Sequence, residues 1–386
     1  MRRFLLYALV LLMGFTACSG EEEAPPPSYL IPSLGVPESR NEIWFSTTEN
    51  SPLLYIDESA FNTPIAEIIY SEYEHNTIRF EGEVTTVGKE AFHCCYNLLN
   101  ISLPHSVTTI GERAFFDCKN MECLTLGVLL NSCHSMAFDG CYNLLSVHIS
   151  SLKNWCKIDF ADKRANPIYF SQALILENAD ITNLAIPEGV ASIGKYAFYG
   201  NATLQSVTIP SSVTAIGEYA FGECENIRSV NISDLGKWCA IDFGNEKSNP
   251  LSAEGSLYLN GELVSEIALS GVESISARAF INYKKITSLT ADNKLQRIGE
   301  EAFRNCSALT TATLGESIEE IGARAFMGCS ALQSVTIPRA EPPLLGDEYV
   351  FDYNAQERKI FIPSDAYDIY IMAPYWSKYS NSVERL

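Results

Sequence analysis

Hydrophobic and polar positions alternate in short bursts, and the bursts recur. From Val213 the chain runs Val-Thr-Ala-Ile-Gly, then Glu-Tyr-Ala-Phe-Gly-Glu-Cys, then Glu-Asn-Ile-Arg-Ser-Val-Asn-Ile. In the last segment Ile227, Val230 and Ile232 are separated by polar residues, which predicts a half-buried strand of period two. The Gly-x-x-Ala-Phe piece is too short for an ordinary helix and predicts one helical or 3₁₀ turn. Pro104, Pro210 and Pro338 follow the strands, where no further ladder donor is needed.

The Ala-Phe pairs mark the period. They fall at Ala91-Phe92, Ala114-Phe115 and Ala137-Phe138, then at Ala197-Phe198 and Ala220-Phe221, then at Ala279-Phe280, Ala302-Phe303 and Ala325-Phe326, with 23 residues between pairs inside each group. One such unit cannot bury its own apolar face, whereas stacked units can. The two wider gaps match each other. Trp155-Cys156 with Ile158-Asp159-Phe160 returns 83 residues later as Trp238-Cys239 with Ile241-Asp242-Phe243, and Asn166-Pro167 returns as Asn249-Pro250. Asn260-Gly261 between apolar runs signals a hairpin turn. Each gap, at about 150–190 and about 233–272, is therefore read as an enlarged repeat with an extra hairpin.

The repeated Ile-Gly-x-x-Ala-Phe-x-x-Cys-x-x-Leu resembles the BspA-like leucine-rich repeats of bacterial surface proteins, over Val84 to Pro338. The resemblance implies a leucine-rich-repeat solenoid, β-rich within the α/β class. Glu42–Leu53 and Ile78–Gly88 are similar to the family's opening cap; Pro342-Pro343, Lys359–Pro363 and Tyr370–Trp376 are similar to its closing cap. The organisation expected is a leader over 1–17, a lipidated Cys18 and linker over 18–37, an opening cap over 38–83, the array over 84–338 and a closing cap over 339–386.

The leader expectation rests on Arg2 and Arg3, the uncharged stretch Phe4–Phe15 and the small residues before Cys18. Phe15-Thr16-Ala17-Cys18 looks like a bacterial lipobox with Phe15 in place of the usual Leu. Glu21-Glu22-Glu23 resembles a surface-export signal, and Pro25-Pro26-Pro27 makes a stiff spacer. These features point to an outer-membrane lipoprotein exposed at the bacterial surface, touching the membrane through its lipid alone. Later in the chain no segment reads as a membrane span.

Composition narrows the chemistry. The 386 residues are 47% hydrophobic and 19% charged, which is globular. The net charge of −20 disfavours nucleic acid as a partner. Of the twelve cysteines, Cys95, Cys118, Cys141, Cys224, Cys306 and Cys329 share one repeat position. Asn201 and Tyr283 stand there in the other two units, which predicts a stacked ladder of small buried polar groups rather than a disulfide framework. His93, Cys94, Cys95, Cys133 and His134 have metal-ligand chemistry without metal-site spacing, so neither metal nor cofactor is expected.

The outward strand positions include Ser102, Thr125, His148, Thr208, Asn231, Thr290, Thr313 and Thr336. Stacked, they form a hydroxyl-rich face with little charge, which is a candidate ligand face. Trp155 and Trp238 are candidate sugar-stacking residues. No nucleophile motif or phosphate loop is present in the sequence, and repetition argues against a singular catalytic site. The function expected is a non-catalytic, monomeric binding protein. Family resemblance implies adhesion to host or neighbouring-cell proteins; the alternative is a glycan-binding lipoprotein that assists polysaccharide capture.

Overall fold

A computed structural model describes residues 33–171 and 173–386. The leader, Cys18 and most of the linker lie outside the described residues. Within them the chain is a solenoid in which each unit contributes to three ladders. The first is a parallel sheet of three- to five-residue strands, such as Cys123–Leu126 beside Ser146–Ile149. The second is a parallel sheet of two-residue strands, such as Thr109–Ile110 beside Ser132–Cys133. The third runs through the Ala-Phe turns, where the Phe amide donates to the Ala carbonyl of the next unit, as in Phe92 to Ala114 at 2.7 Å and Phe303 to Ala325 at 2.8 Å; where the next unit is enlarged or is the closing cap, Phe138, Phe221 and Phe326 donate instead to Arg164, Lys247 and Val350.

The Ala-Phe turn is not the helical turn expected from the sequence. Glu90, Arg113, Met136, Tyr196, Tyr219, Arg278, Glu301 and Arg324 all sit at positive φ directly before the Ala. A left-handed residue breaks a helix. The chain makes successive tight turns instead, as in Ala91 N–H to the Gly88 carbonyl and His93 N–H to the Glu90 carbonyl. The glycine of the motif serves close approach. A Cβ on Gly322 would lie 2.5 Å from the Glu300 nitrogen of the preceding unit.

Inward positions of all three ladders fill one continuous core. Phenylalanine rings stack along it: Phe92 on Phe115 on Phe138, Phe198 on Phe221, and Phe280 on Phe303 on Phe326, at 5.2–5.4 Å between centroids. Two rings outside the counted units extend the stack. Phe61 meets Phe92 edge-on at 5.9 Å, and Phe351 stacks on Phe326 at 5.6 Å.

The enlarged repeats divide the long-strand ladder into three sheets. Each contains the expected hairpin, Ala173–Leu176 with Ala179–Asp180 and Ser256–Leu259 with Glu262–Leu263. Each also holds a short helix, Leu152–Trp155 or Leu235–Cys239, with Ser151 or Asp234 accepting from the first-turn amides. At the front, Glu42–Thr47 pairs antiparallel with both Asn76–Phe80 and the first repeat strand. At the rear, Tyr370 and Trp376 are buried, and the Trp376 indole donates to the Pro343 carbonyl at 2.8 Å. No helix among the described residues is long and apolar enough to cross a membrane.

Candidate binding faces of the solenoid

The outward strand positions do not form one open face. In the first sheet Trp44, Ser102, Thr125, His148 and Ile175 stand in one row, with Ser46, Asn100, Cys123, Ser146 and Ala173 beside them. Of the candidate ligand positions, Ser102 is 0%, Thr125 4% and His148 8% exposed. Cys123, Ser146, Ala173 and Ile175 are buried as well. The chain at Ser33–Gly35 lies on this face. The Ser33 and Thr125 hydroxyls are 2.7 Å apart, Ser102 Oγ donates to the Gly35 carbonyl, and Gly35, at φ +83°, packs against Trp44. Ser102, Thr125 and His148 are corrected from open ligand positions to buried ones. For Ser102 and Thr125 the physical reason is a contact with a segment 67 and 92 residues earlier, which no repeat pattern encodes.

The other five candidates remain accessible, on two separate sheets. Thr208 is exposed and Asn231 half-buried in the second sheet, in register with Ala185 and Tyr258. Thr290 and Thr313 are exposed and Thr336 half-buried in the third, in register with Ala268 and Phe361. These rows offer hydroxyls, one amide and the rings of Tyr258 and Phe361; charge enters the third face only at its margins, with Glu266, Lys359 and Glu384.

Trp155 and Trp238 are also corrected. Each is 1% exposed. The Trp155 indole donates to the Ala197 carbonyl at 2.9 Å and the Trp238 indole to the Ala279 carbonyl at 3.0 Å. Their N–H groups and faces are used inside, joining each enlarged repeat to the unit after it. Asn166 and Asn249 reinforce the same joints: each side-chain amide donates to the following unit's Ala carbonyl, at 3.3 and 3.1 Å. A buried indole presents no ring to a sugar.

The thiol ladder has a donor role. Cys118, Cys141, Cys224, Cys306 and Cys329 each donate to the Phe carbonyl 26 residues earlier, at 3.0–3.1 Å. Cys95 reaches Asn97 Oδ1 at 3.5 Å. Both exceptions follow an enlarged repeat, where no Phe stands 26 residues back. Asn201 there caps its own turn by accepting from the Thr203 and Leu204 amides. Tyr283 spans the wider layer, its hydroxyl donating to the Val264 carbonyl at 2.8 Å and accepting from the Leu257 amide. Burial pushes the Cys224 and Cys329 thiols up to about 12, and Cys156 and Cys239 likewise, so none is a ready thiolate nucleophile.

All eleven described cysteines are free, and only Cys94 is part-exposed. A thiol reagent should therefore label Cys94 alone among them in the native state, and all eleven after unfolding without reductant. A shortfall in the unfolded protein would reveal a bridge. No group of three or more His, Cys, Asp or Glu among the described residues is placed to hold a metal ion.

Some carboxylates pair with a base on a neighbouring unit, and Glu301 is the most enclosed of these. It is 6% exposed and meets Arg278 at 3.1 Å, Arg304 at 2.8 Å and Arg324 at 3.9 Å. Such a site consolidates three successive units and carries no base or nucleophile partner.

Solved structures similar to this chain include a leucine-rich repeat protein from Bacteroides ovatus, at 20% identity and TM-score 0.35, covering 83% of this chain and 91% of that one. A leucine rich cell surface protein from Faecalibacterium prausnitzii matches at 22% identity and TM-score 0.44, covering 87% and 94%. The pneumococcal vaccine antigen PcpA matches at 14% identity and TM-score 0.39, covering 78% and 83%. No curated protein matches. The BspA type leucine-rich repeat region matches residues 63–174, 170–239 and 258–378 in six copies, well over half of the sequence, and the chain belongs to that family.

Proposed function

We propose that the protein is a non-catalytic binding protein at the bacterial surface, held there by lipid on Cys18, and that it adheres to proteins of host or neighbouring cells. Its family is one of repeat scaffolds suited to protein interaction, found on surface proteins. The observation that carries the reading is the pair of open, hydroxyl-rich sheet faces around Thr208 and Asn231 and around Thr290, Thr313 and Thr336, with charge only at the margins of the latter. They are flat, rigid and repeated, which suits a broad partner surface better than a small substrate. The excess of acidic residues adds long-range attraction toward basic partners.

The test is label-free binding to immobilised extracellular-matrix proteins. Thr290→Lys with Thr313→Lys is expected to weaken a specific interaction about tenfold or more while leaving the melting temperature unchanged, because both side chains point to solvent. Raising salt should weaken capture of a basic partner. Affinity indifferent to the double substitution would remove the sheet face from the reading.

A further inference from the structure

A cavity of about 210 Å³ lies on the turn side of the solenoid, away from the sheet faces. Tyr199, Tyr219, Gly222, Glu223, Glu225 and Lys247 line it, with Ser252 and Ala253 on the side of the second enlarged repeat. Gly222 shapes its wall. At the same place in the repeat, directly after the Phe, other units carry His93, Phe116, Asp139, Ile281, Arg304 or Met327. Gly222 is not at positive φ, so the backbone does not require glycine there. The place of the missing side chain is taken by the Tyr199 ring, whose edge would lie 2.8 Å from a Cβ on Gly222, so the ring packs on the backbone there and walls the cavity.

The walls are preformed. Tyr196 stacks on one face of Tyr219 at 5.2 Å and 8° between planes, while Tyr219 itself remains 39% exposed. The Tyr199 hydroxyl donates to Glu223 and fixes that carboxylate at the rim. Tyr169 packs on Tyr199 at 5.6 Å, and Lys163 lies above both rings at 4.9 and 5.7 Å.

The chemistry of the lining selects among ligands. An anion would meet Glu223, Glu225 and the electron-rich ring faces. A cation would meet Lys247 in the wall and Lys163 already seated over Tyr199. A neutral ring with several hydroxyls suits every group: carboxylates accept, the ammonium donates, Ser252 does either, and the aromatic face takes an apolar C–H side. The volume accommodates one six-membered sugar ring. We propose that this cavity binds a single neutral hexose unit of a glycan, a site distinct from the sheet faces and independent of the protein-binding reading.

The experiment is saturation-transfer NMR of the protein with the methyl glycosides of glucose, galactose and mannose at millimolar concentration. Transfer is expected to at least one glycoside, strongest on the protons of one ring face. Gly222→Met, whose Cβ would collide with the Tyr199 ring and displace that wall, should abolish it. Tyr219→Ala should weaken it about tenfold. Should Gly222→Met fail to fold, Ser252→Phe blocks the same space from the opposite wall and is expected to abolish transfer too. No transfer to any of the three glycosides overturns the proposal, as does transfer that survives both blocking substitutions. Tighter binding of N-acetylargininamide or acetate at this cavity overturns it as well. Matrix-protein binding measured on the same variants separates the two readings: it should persist in Gly222→Met, and its loss there would assign the cavity to a protein ligand instead.

Discussion

Phe303→Ala is expected to destabilise the protein by about 3–5 kcal/mol, the usual cost of emptying a large buried aromatic site. Phe303 is 0% exposed and sandwiched between Phe280 at 5.2 Å and Phe326 at 5.3 Å, with interplanar angles of 8° and 3°. Collapse cannot fill the gap, because the neighbouring rings are held by their own backbone ladder: Phe280 N–H bonds to the Ala302 carbonyl and Phe303 N–H to the Ala325 carbonyl, both at 2.8 Å. The substitution therefore removes contacts on both ring faces at once. Urea unfolding would read the loss as a lower midpoint, and Thr290→Ala on the open sheet should shift it by about 0.5 kcal/mol or less. A loss below about 1 kcal/mol for Phe303→Ala would mean that the stack is ornamental to stability.

Above pH 9 the fold is expected to lose stability steeply. Burial raises Cys156, Cys224, Cys239 and Cys329 from 9.0 to about 12, and pushes Cys118, Cys133, Cys141 and Cys306 well above their ordinary value too. Their folded values exceed their unfolded ones. The associated stability is therefore fully present below pH 9 and is lost as pH climbs from 9 toward 12, because the unfolded chain then binds fewer protons. Each such thiol contributes about 1.4 kcal/mol per pH unit inside that window, so four together give a slope of about 5 kcal/mol per unit. Against a typical reserve of about 5–15 kcal/mol, unfolding should occur between about pH 10 and 12. Serine can donate to the same carbonyls without titrating, so Cys306→Ser with Cys329→Ser should flatten the slope. A melting temperature level through pH 11 would refute the account.

Much of the architecture is legible because it is repeated. The hairpin at Asn260-Gly261 could be read directly, and both residues take the positive φ that such a turn requires. Glu177-Asn178 carries a weaker signal, but it stands 83 residues earlier in the same register and adopts the same left-handed pair. The shared thiol position likewise reported a common environment, although not the carbonyl 26 residues back. Features that break the repeat were harder. The covering of Ser102 and Thr125 involves Ser33–Gly35, an irregular segment with no internal counterpart. Trp155 and Trp238 are apolar residues whose spacing fits exposure or burial equally well; only the neighbouring unit's Ala carbonyl decides. Gly222 follows its Phe as an ordinary glycine of the string; that the Tyr199 ring takes the place of its side chain is a tertiary contact no single unit encodes.

The interruption of the long-strand ladder also bears on how such molecules coexist at high local density. Three sheets have six edges, where an unbroken sheet would have two. Unpaired edge amides and carbonyls invite strand addition from a neighbour. Here the edges facing the two junctions are the strands Ala179–Asp180, Asn183–Ala185, Glu262–Leu263 and Glu266–Leu269, two to four residues long, and three of the four carry an acidic residue. A second copy could gain few backbone bonds there and would bring like charge against like. The hairpins that widen the solenoid thus also blunt it against edge-to-edge polymerisation.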